Sequence, residues 1–293
     1  LYPMNFTEFL RAAGEDALAD FITAFRPGNT LPEAVGEKLS AILRQYYMTG
    51  GMPEVVDTFF KTKSIEEVER IQQAIINSYE LDFAKHAPPR DFPKLNAIWR
   101  SIPEQLAKEN KKFIFSHVRT GWRAKDLEDA LEWLIAAGLV YKVAKIGQPL
   151  FPLSSYADDT SFKLYMADIG ILRRLAGLPS EVLLDSASAY REFKGSMTEN
   201  YVLCELHAAV DDTAYYWTSG NIAEVDFVLR CGKEILPIEV KSEKNLKARS
   251  LSEYRKKYTP RYAVKISMSH AIGGEEVLNL PLYMIASLKN FVK

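Results

Sequence analysis

Several common readings fail for want of material. Two cysteines, Cys204 and Cys231, in 293 residues make no disulfide framework, so a reducing, cytoplasmic setting is expected. No apolar run is long enough to span a bilayer and no signal-peptide pattern is present, so no membrane partner is expected. Neither charge is in excess. With 37 basic and 38 acidic residues the net charge is -1, and nucleic-acid contact would have to come from local patches. His86, His117, His207 and His270 are scattered with no i,i+4 pair, which leaves no zinc pattern. There is no nucleophile elbow and no GxxxxGK(S/T) phosphate loop. Cys204, in an apolar helical stretch, reads as core filler. An initiator methionine is also missing: the chain opens at Leu1 in an apolar segment and reads as a piece of a longer protein.

What is present divides into three consecutive segments of an α+β, multidomain chain. Residues 1–80 read as helical, from the apolar spacing of FTEFLRAAGEDALADFITAF and EKLSAILRQYYMTG. Gly50-Gly51-Met52-Pro53 reads as a helix stop and restart, and Ser64 with Glu67 as a capping box. Residues 81–180 carry the helical stretches LNAIWRSIPEQLAKEN and AKDLEDALEWLIAAGL, then the alternating LVYKVAKI and FKLYMAD. Helices followed by a β-ribbon are the order of a winged helix-turn-helix. The outward face of its last helix would show Asp126, Asp129 and Glu132, which phosphates repel. Its positive charge lies in the lead-in, at Lys111, Lys112, Arg119, Arg123 and Lys125, so the segment reads as a protein-contact or spacing element. Residues 185–293 alternate helices and strands, as an α/β layer around one mixed sheet does. LPLYMI reads as the closing strand, and Tyr215, Tyr216 and Trp217 as strand core.

Within the third segment, EVDFVLRCGKEILPIEVK predicts a hairpin with Gly232-Lys233 as a type II′ turn. That register sets Cys231 opposite Glu234 and Leu229 opposite Leu236. It gathers Val225, Phe227, Leu229, Leu236, Ile238 and Val240 on one face. On the other face Asp226 would oppose Glu239, and Glu224 would oppose Lys241. Facing carboxylates cost up to about 1 kcal/mol, a cost tolerated more readily if a divalent cation such as Mg or Mn sits between them. The bland alternative is a solvated hairpin face. Pro237 cannot donate to a ladder and predicts an edge strand or a bulge. Downstream, Lys244, Lys247, Arg249, Arg255, Lys256 and Lys257 form a basic stretch suited to tracking a nucleic-acid backbone, or to being a solvated helix face.

A helix Glu in GSMTENYV, a strand Asp, then Glu-x-Lys on the next strand resemble the PD-(D/E)xK nuclease superfamily. The resemblance implies a restriction-endonuclease-like domain in which Glu199, Asp226 and Glu239 hold Mg or Mn and Lys241 is the catalytic lysine.

Viewed whole, LYPMNFTEFL, YYMTGGMPEVV, FKLYMADIGILRRLAG, GSMTENYVLCEL, YYWTSGNIAEVDFVL, LPIEVKSEKNLKARSL and LPLYMI resemble the C-terminal portion of uncharacterised prokaryotic AAA-type ATPases. The resemblance implies a helical ATPase tail or lid, a winged helix and a nuclease-like domain. The ATPase core, and with it ATP as a cofactor, would belong only to the full-length parent. Two functions stand open: metal-dependent DNA cleavage, or a silent module that couples ATP turnover to DNA, a protein partner or a second copy of the chain.

Overall fold

The computed structural model describes residues 2–184, 191–210, 212–220, 223–242, 249–274 and 276–292. Helices α1 (Phe6–Ala12), α2 (Asp16–Ala24), α3 (Glu33–Thr49), α4 (Pro53–Thr62), α5 (Ile65–His86), α6 (Phe92–Leu106), α7 (Phe115–Val118) and α8 (Ala124–Ala136) come first. Strands β1 (Val140–Ile146) and β2 (Ala157–Met166) follow, then α9 (Ile169–Leu175), α10 (Ser180–Leu184) and α11 (Arg191–Val210). The remainder holds β3 (Tyr215–Thr218), β4 (Glu224–Cys231), β5 (Glu234–Lys241), α12 (Arg249–Tyr258), β6 (Val264–Ser267), β7 (Leu278–Pro281) and α13 (Leu288–Phe291). The fold is α+β. No described helix is long and apolar enough to cross a membrane.

Local signals place many of these boundaries. The first apolar run becomes two helices because Gly14 takes φ +75°, which ends α1. Gly50, at φ +71°, stops α3, and Pro53 opens α4. The Ser64 hydroxyl accepts the Glu67 N–H at 3.2 Å, while the Glu67 carboxylate turns to Arg70, so only half the expected box forms. LPLYMI is not one strand: β7 ends at Pro281, and Leu282–Ser287 winds into a 3₁₀ turn.

The chain divides into two compact units. They are discontinuous and so differ from the three consecutive segments read from the sequence. The first comprises Leu1–Met4, Tyr46–Lys142 and Lys163–Met197. It is tied by a buried polar network around the start of α9. Asp168 caps α9 by accepting the Ile171 N–H at 2.8 Å and also accepts the Gly51 N–H at 2.7 Å. The Gly51 carbonyl in turn accepts the Met4 N–H at 2.7 Å. Gly50 has no room for a side chain, because a Cβ there would lie 2.3 Å from Asp168 Oδ1. One turn on, Arg173 is wholly buried. Its guanidinium donates to the Met48 and Leu178 carbonyls, to Glu69 and to Gln72. A buried arginine is tolerable only when its donors are met in this way.

The second unit comprises Asn5–Gln45, Val143–Phe162 and Thr198–Lys293. Its frame is a mixed sheet of order β2-β1-β3-β4-β5-β6-β7. β1 runs parallel to β3, β3–β4–β5 is antiparallel, and β5, β6 and β7 run parallel. The ribbon read as part of a winged helix-turn-helix is the edge of this sheet, since β1 pairs with β3 on its other side. At the start of α1, Asn5 and Glu8 form a reciprocal capping box, and Glu205 of α11 accepts the Phe6 N–H at 2.8 Å.

Burial raises the carboxyl of Asp168 to about 6 and that of Glu205 to about 8, against the N–H groups that favour ionisation. Both folded values exceed the ordinary ones, so the folded protein holds protons that the unfolded chain has released. The Glu205 contribution is fully present below about 4.5 and is lost as pH rises to about 8. Glu205→Gln is therefore expected to raise the melting temperature, by a margin that grows from pH 5 to pH 8. A variant less stable than wild type across that range contradicts the assignment.

Candidate functional site

The hairpin forms in the register its turn dictates. Cys231 pairs with Glu234, Leu229 with Leu236, and Phe227 with Ile238. Gly232 takes φ +63° and Lys233 keeps a negative φ, as a type II′ turn requires.

Beyond Phe227 the strand departs from the simple pattern. On its other side β4 pairs with β3 as Tyr215 to Val228 and then Trp217 to Val225, so Asp226 and Phe227 share one opposing residue, Tyr216. This is a β-bulge, which re-aims side chains locally. Val225 leaves the apolar face expected for it and packs in a cluster with Trp217, Leu251 and Tyr254. Asp226 does not meet Glu239 head-on; its Oδ2 accepts the Val240 N–H at 2.7 Å. The bulge is thus in β4, not at Pro237. Pro237 lies in an interior strand, and β6 begins pairing one residue later, at Ile238 with Val264, so the missing N–H breaks no bond on that side.

Glu239 is almost completely buried, at 2% exposure. Its Oε1 lies 2.7 Å from Lys241 Nζ, and its Oε2 accepts the Leu251 N–H of α12 at 3.1 Å. Across the next ladder Glu239 pairs in register with Lys265 of β6, itself buried. Burial pulls the Lys265 ammonium below the usual lysine range, with Glu239 opposing that pull. Burial would also lower Lys241. Its hydrogen bond to Glu239, with the charges of Glu239, Asp226 and Glu199, instead carries it above the ordinary value. The fields of Glu199 on α11, Asp226 on β4 and Glu239 on β5 therefore converge on one ammonium.

Counted formally, these three carboxylates and two lysines leave one net negative charge. Both Glu239 oxygens and one oxygen of Asp226 already carry hydrogen bonds. Among the described residues no three His, Cys, Asp or Glu side chains gather as metal ligands. To ligate a Mg or Mn ion with these oxygens, Glu239 and Asp226 would have to share or give up the hydrogen bonds they now make.

Of the described members of the basic stretch, three have partners within the protein. Arg255 pairs with Glu276 at 2.8 Å, Lys256 with Glu253 at 2.7 Å and the neighbouring Arg261 with Glu234 at 3.2 Å. Lys257 sits over the rings of Tyr258 and Trp217. Arg249 is exposed, and Lys244 and Lys247 lie outside the described residues. Tyr215, Tyr216 and Trp217 are strand core, whereas Cys204 is half-buried and accepts from Asn200. Sequence reasoning missed Lys265. Its signal was a lysine between Val264 and Ile266 in an otherwise apolar strand.

Two family models match the chain. Residues 40–182 match a domain of unknown function (DUF8612), and residues 194–283, which hold Glu199, Asp226, Glu239, Lys241 and Lys265, match a domain of unknown function (DUF4143). Neither the curated proteins nor the solved structures yield a match.

If Glu239 is the main partner of Lys241, Glu239→Gln should lower the Lys241 pKa. A titration of the lysine side-chain resonances by NMR reads this directly. An unchanged value would show that the pair does not govern the site.

Proposed function

We propose that this chain is a binding and coupling module on a nuclease-like scaffold, in which the Glu199, Asp226, Glu239 and Lys241 set acts structurally instead of cutting. The observation that carries the reading is the closure of the cluster. Glu239 is taken by Lys241 and by the backbone of α12, and Asp226 by the backbone of β5. Such a cluster fixes α12 against the sheet. It leaves the carboxylates little freedom to ligate an ion.

The setting suggests what is coupled. The segments that resemble AAA-type ATPase tails, and a DUF4143 match of a kind common behind such ATPases, support a role in passing ATP-driven motion to a partner. With no phosphate loop in its sequence, this chain would depend on a separate ATPase core for the nucleotide step. The order α7, α8, β1, β2 supports a winged-helix reading of residues 81–180, with the ribbon joined to the sheet.

A second reading, a metal-dependent nuclease, is favoured by one observation: the three carboxylate fields meet at Lys241. There Glu199, Asp226 and Glu239 would hold the metal and Lys241 would stand at the attacked phosphate. It requires Glu239 to release both of its present partners.

Thermal melting in rising Mn²⁺ separates the two. A ligand at 100 times its dissociation constant adds about 2.7 kcal/mol to the folded state. The coupling reading expects no specific shift and no metal-dependent cleavage of duplex DNA. A shift abolished by Asp226→Asn, with cleavage abolished by Lys241→Ala, supports the nuclease instead.

A further inference from the structure

A basic run lies in the first unit, around the junction of α7 and α8. Residues 108–125 hold Lys108, Lys111, Lys112, Arg119, Arg123 and Lys125 against a single acid, Glu109. Lys108 Nζ lies 2.8 Å from His117 Nδ1, which ties the start of the segment to α7, and the Arg119 guanidinium lies 5.1 Å from the centre of the Trp122 ring. Among the described residues Arg119, Arg123 and Lys125 form no ion pair, and all three are exposed. On α12, by contrast, Arg255 and Lys256 are paired and Lys257 rests on aromatic rings.

The placement of these charges is unfavourable for the folded chain by itself. Arg123 and Lys125 stand at the N-terminus of α8, where the helix dipole is positive and cations are disfavoured. Asp126 offsets part of this by accepting the Arg123 N–H at 2.9 Å. A phosphate at the same position would be favoured by the dipole, by the guanidinium groups and by Lys125 together. Further along α8, Asp129 and Glu132 lie within 4.0 Å of Arg90 and 3.8 Å of Lys142, and Glu128 is exposed. That acidic face would repel a groove-reading pose. Only the end of the helix suits a polyanion.

We propose that Arg119, Arg123 and Lys125 at the α7–α8 junction form the surface that docks the phosphodiester backbone of duplex DNA, independently of sequence. This names the partner of the coupling module, and it rests on that reading only in requiring a partner. The surface is separate in sequence from the Glu239 cluster and from α12.

The test is fluorescence anisotropy of labelled duplexes with the full chain, in EDTA, so that the result does not depend on whether the cluster cuts. Wild type is expected to bind two unrelated duplexes equally at low salt. Three to four phosphate contacts predict a slope of log K against log salt of about -3 to -4. The triple variant Arg119→Ala, Arg123→Ala, Lys125→Ala should bind at least about tenfold more weakly and lose about three units of slope, while melting like wild type. The variant Arg255→Ala, Lys256→Ala, Lys257→Ala should bind as wild type does. Any of four results overturns the proposal: no binding by wild type, wild-type affinity in the triple variant, loss through the α12 variant instead, or preference for one duplex. Competition by polyglutamate equal to that by DNA would also overturn it, in favour of an acidic protein partner.

Discussion

A carboxylate buried in a sheet has to be met by positive charge or by N–H groups, and Glu239 is met by both. Lys241 holds one oxygen, and the first turn of α12 supplies an amide to the other. Removing Lys241 would strand the buried carboxylate, whereas Lys241, itself partly exposed, could turn to water if Glu239 were lost. That constraint fixes the position of α12 over β4 and β5 and holds Lys241 among three acids. The group as a whole keeps one net negative charge, while both Glu239 oxygens stay hydrogen-bonded.

A second constraint of the same kind operates in the first unit. Arg173 and Asp168 are buried ions whose partners include Met48, Gly51, Glu69 and Gln72, far away in sequence. Between them they tie Met4, Met48, Gly51, Glu69, Gln72 and Leu178 to the start of α9. Such networks favour one arrangement over its near alternatives, since a small displacement leaves several groups unsatisfied at once.

Much of the fold could be read from local pattern. Ser64, Gly50 and Pro53 mark helix ends by their own chemistry, and Gly232 fixes the hairpin register because few other residues adopt its φ. The bulge at Asp226 could not be read. It follows from the pairing of β4 with β3, a non-local contact, and it moved both Val225 and the aspartate from where strict alternation puts them. Pro237 misled for a related reason: its missing N–H points to an edge unless the neighbouring strand starts one residue later, as β6 does. The site residues were legible by type and spacing, yet their use was not. Whether Glu239 faces a cation or a lysine depends on Lys241 and α12, and Lys265 enters only through strand order. Charge bookkeeping along the sequence likewise favoured the α12 stretch, because its acidic partners Glu234 and Glu276 come from other elements.

The most direct test of a cluster closed on its own partners is crystallographic. A crystal equilibrated with Mn²⁺ and measured at the manganese edge reports the ion by anomalous scattering. The account predicts no anomalous peak among Glu199, Asp226 and Glu239, with the Glu239–Lys241 pair intact. A peak bridging those carboxylates, with Lys241 turned away from Glu239, would contradict it.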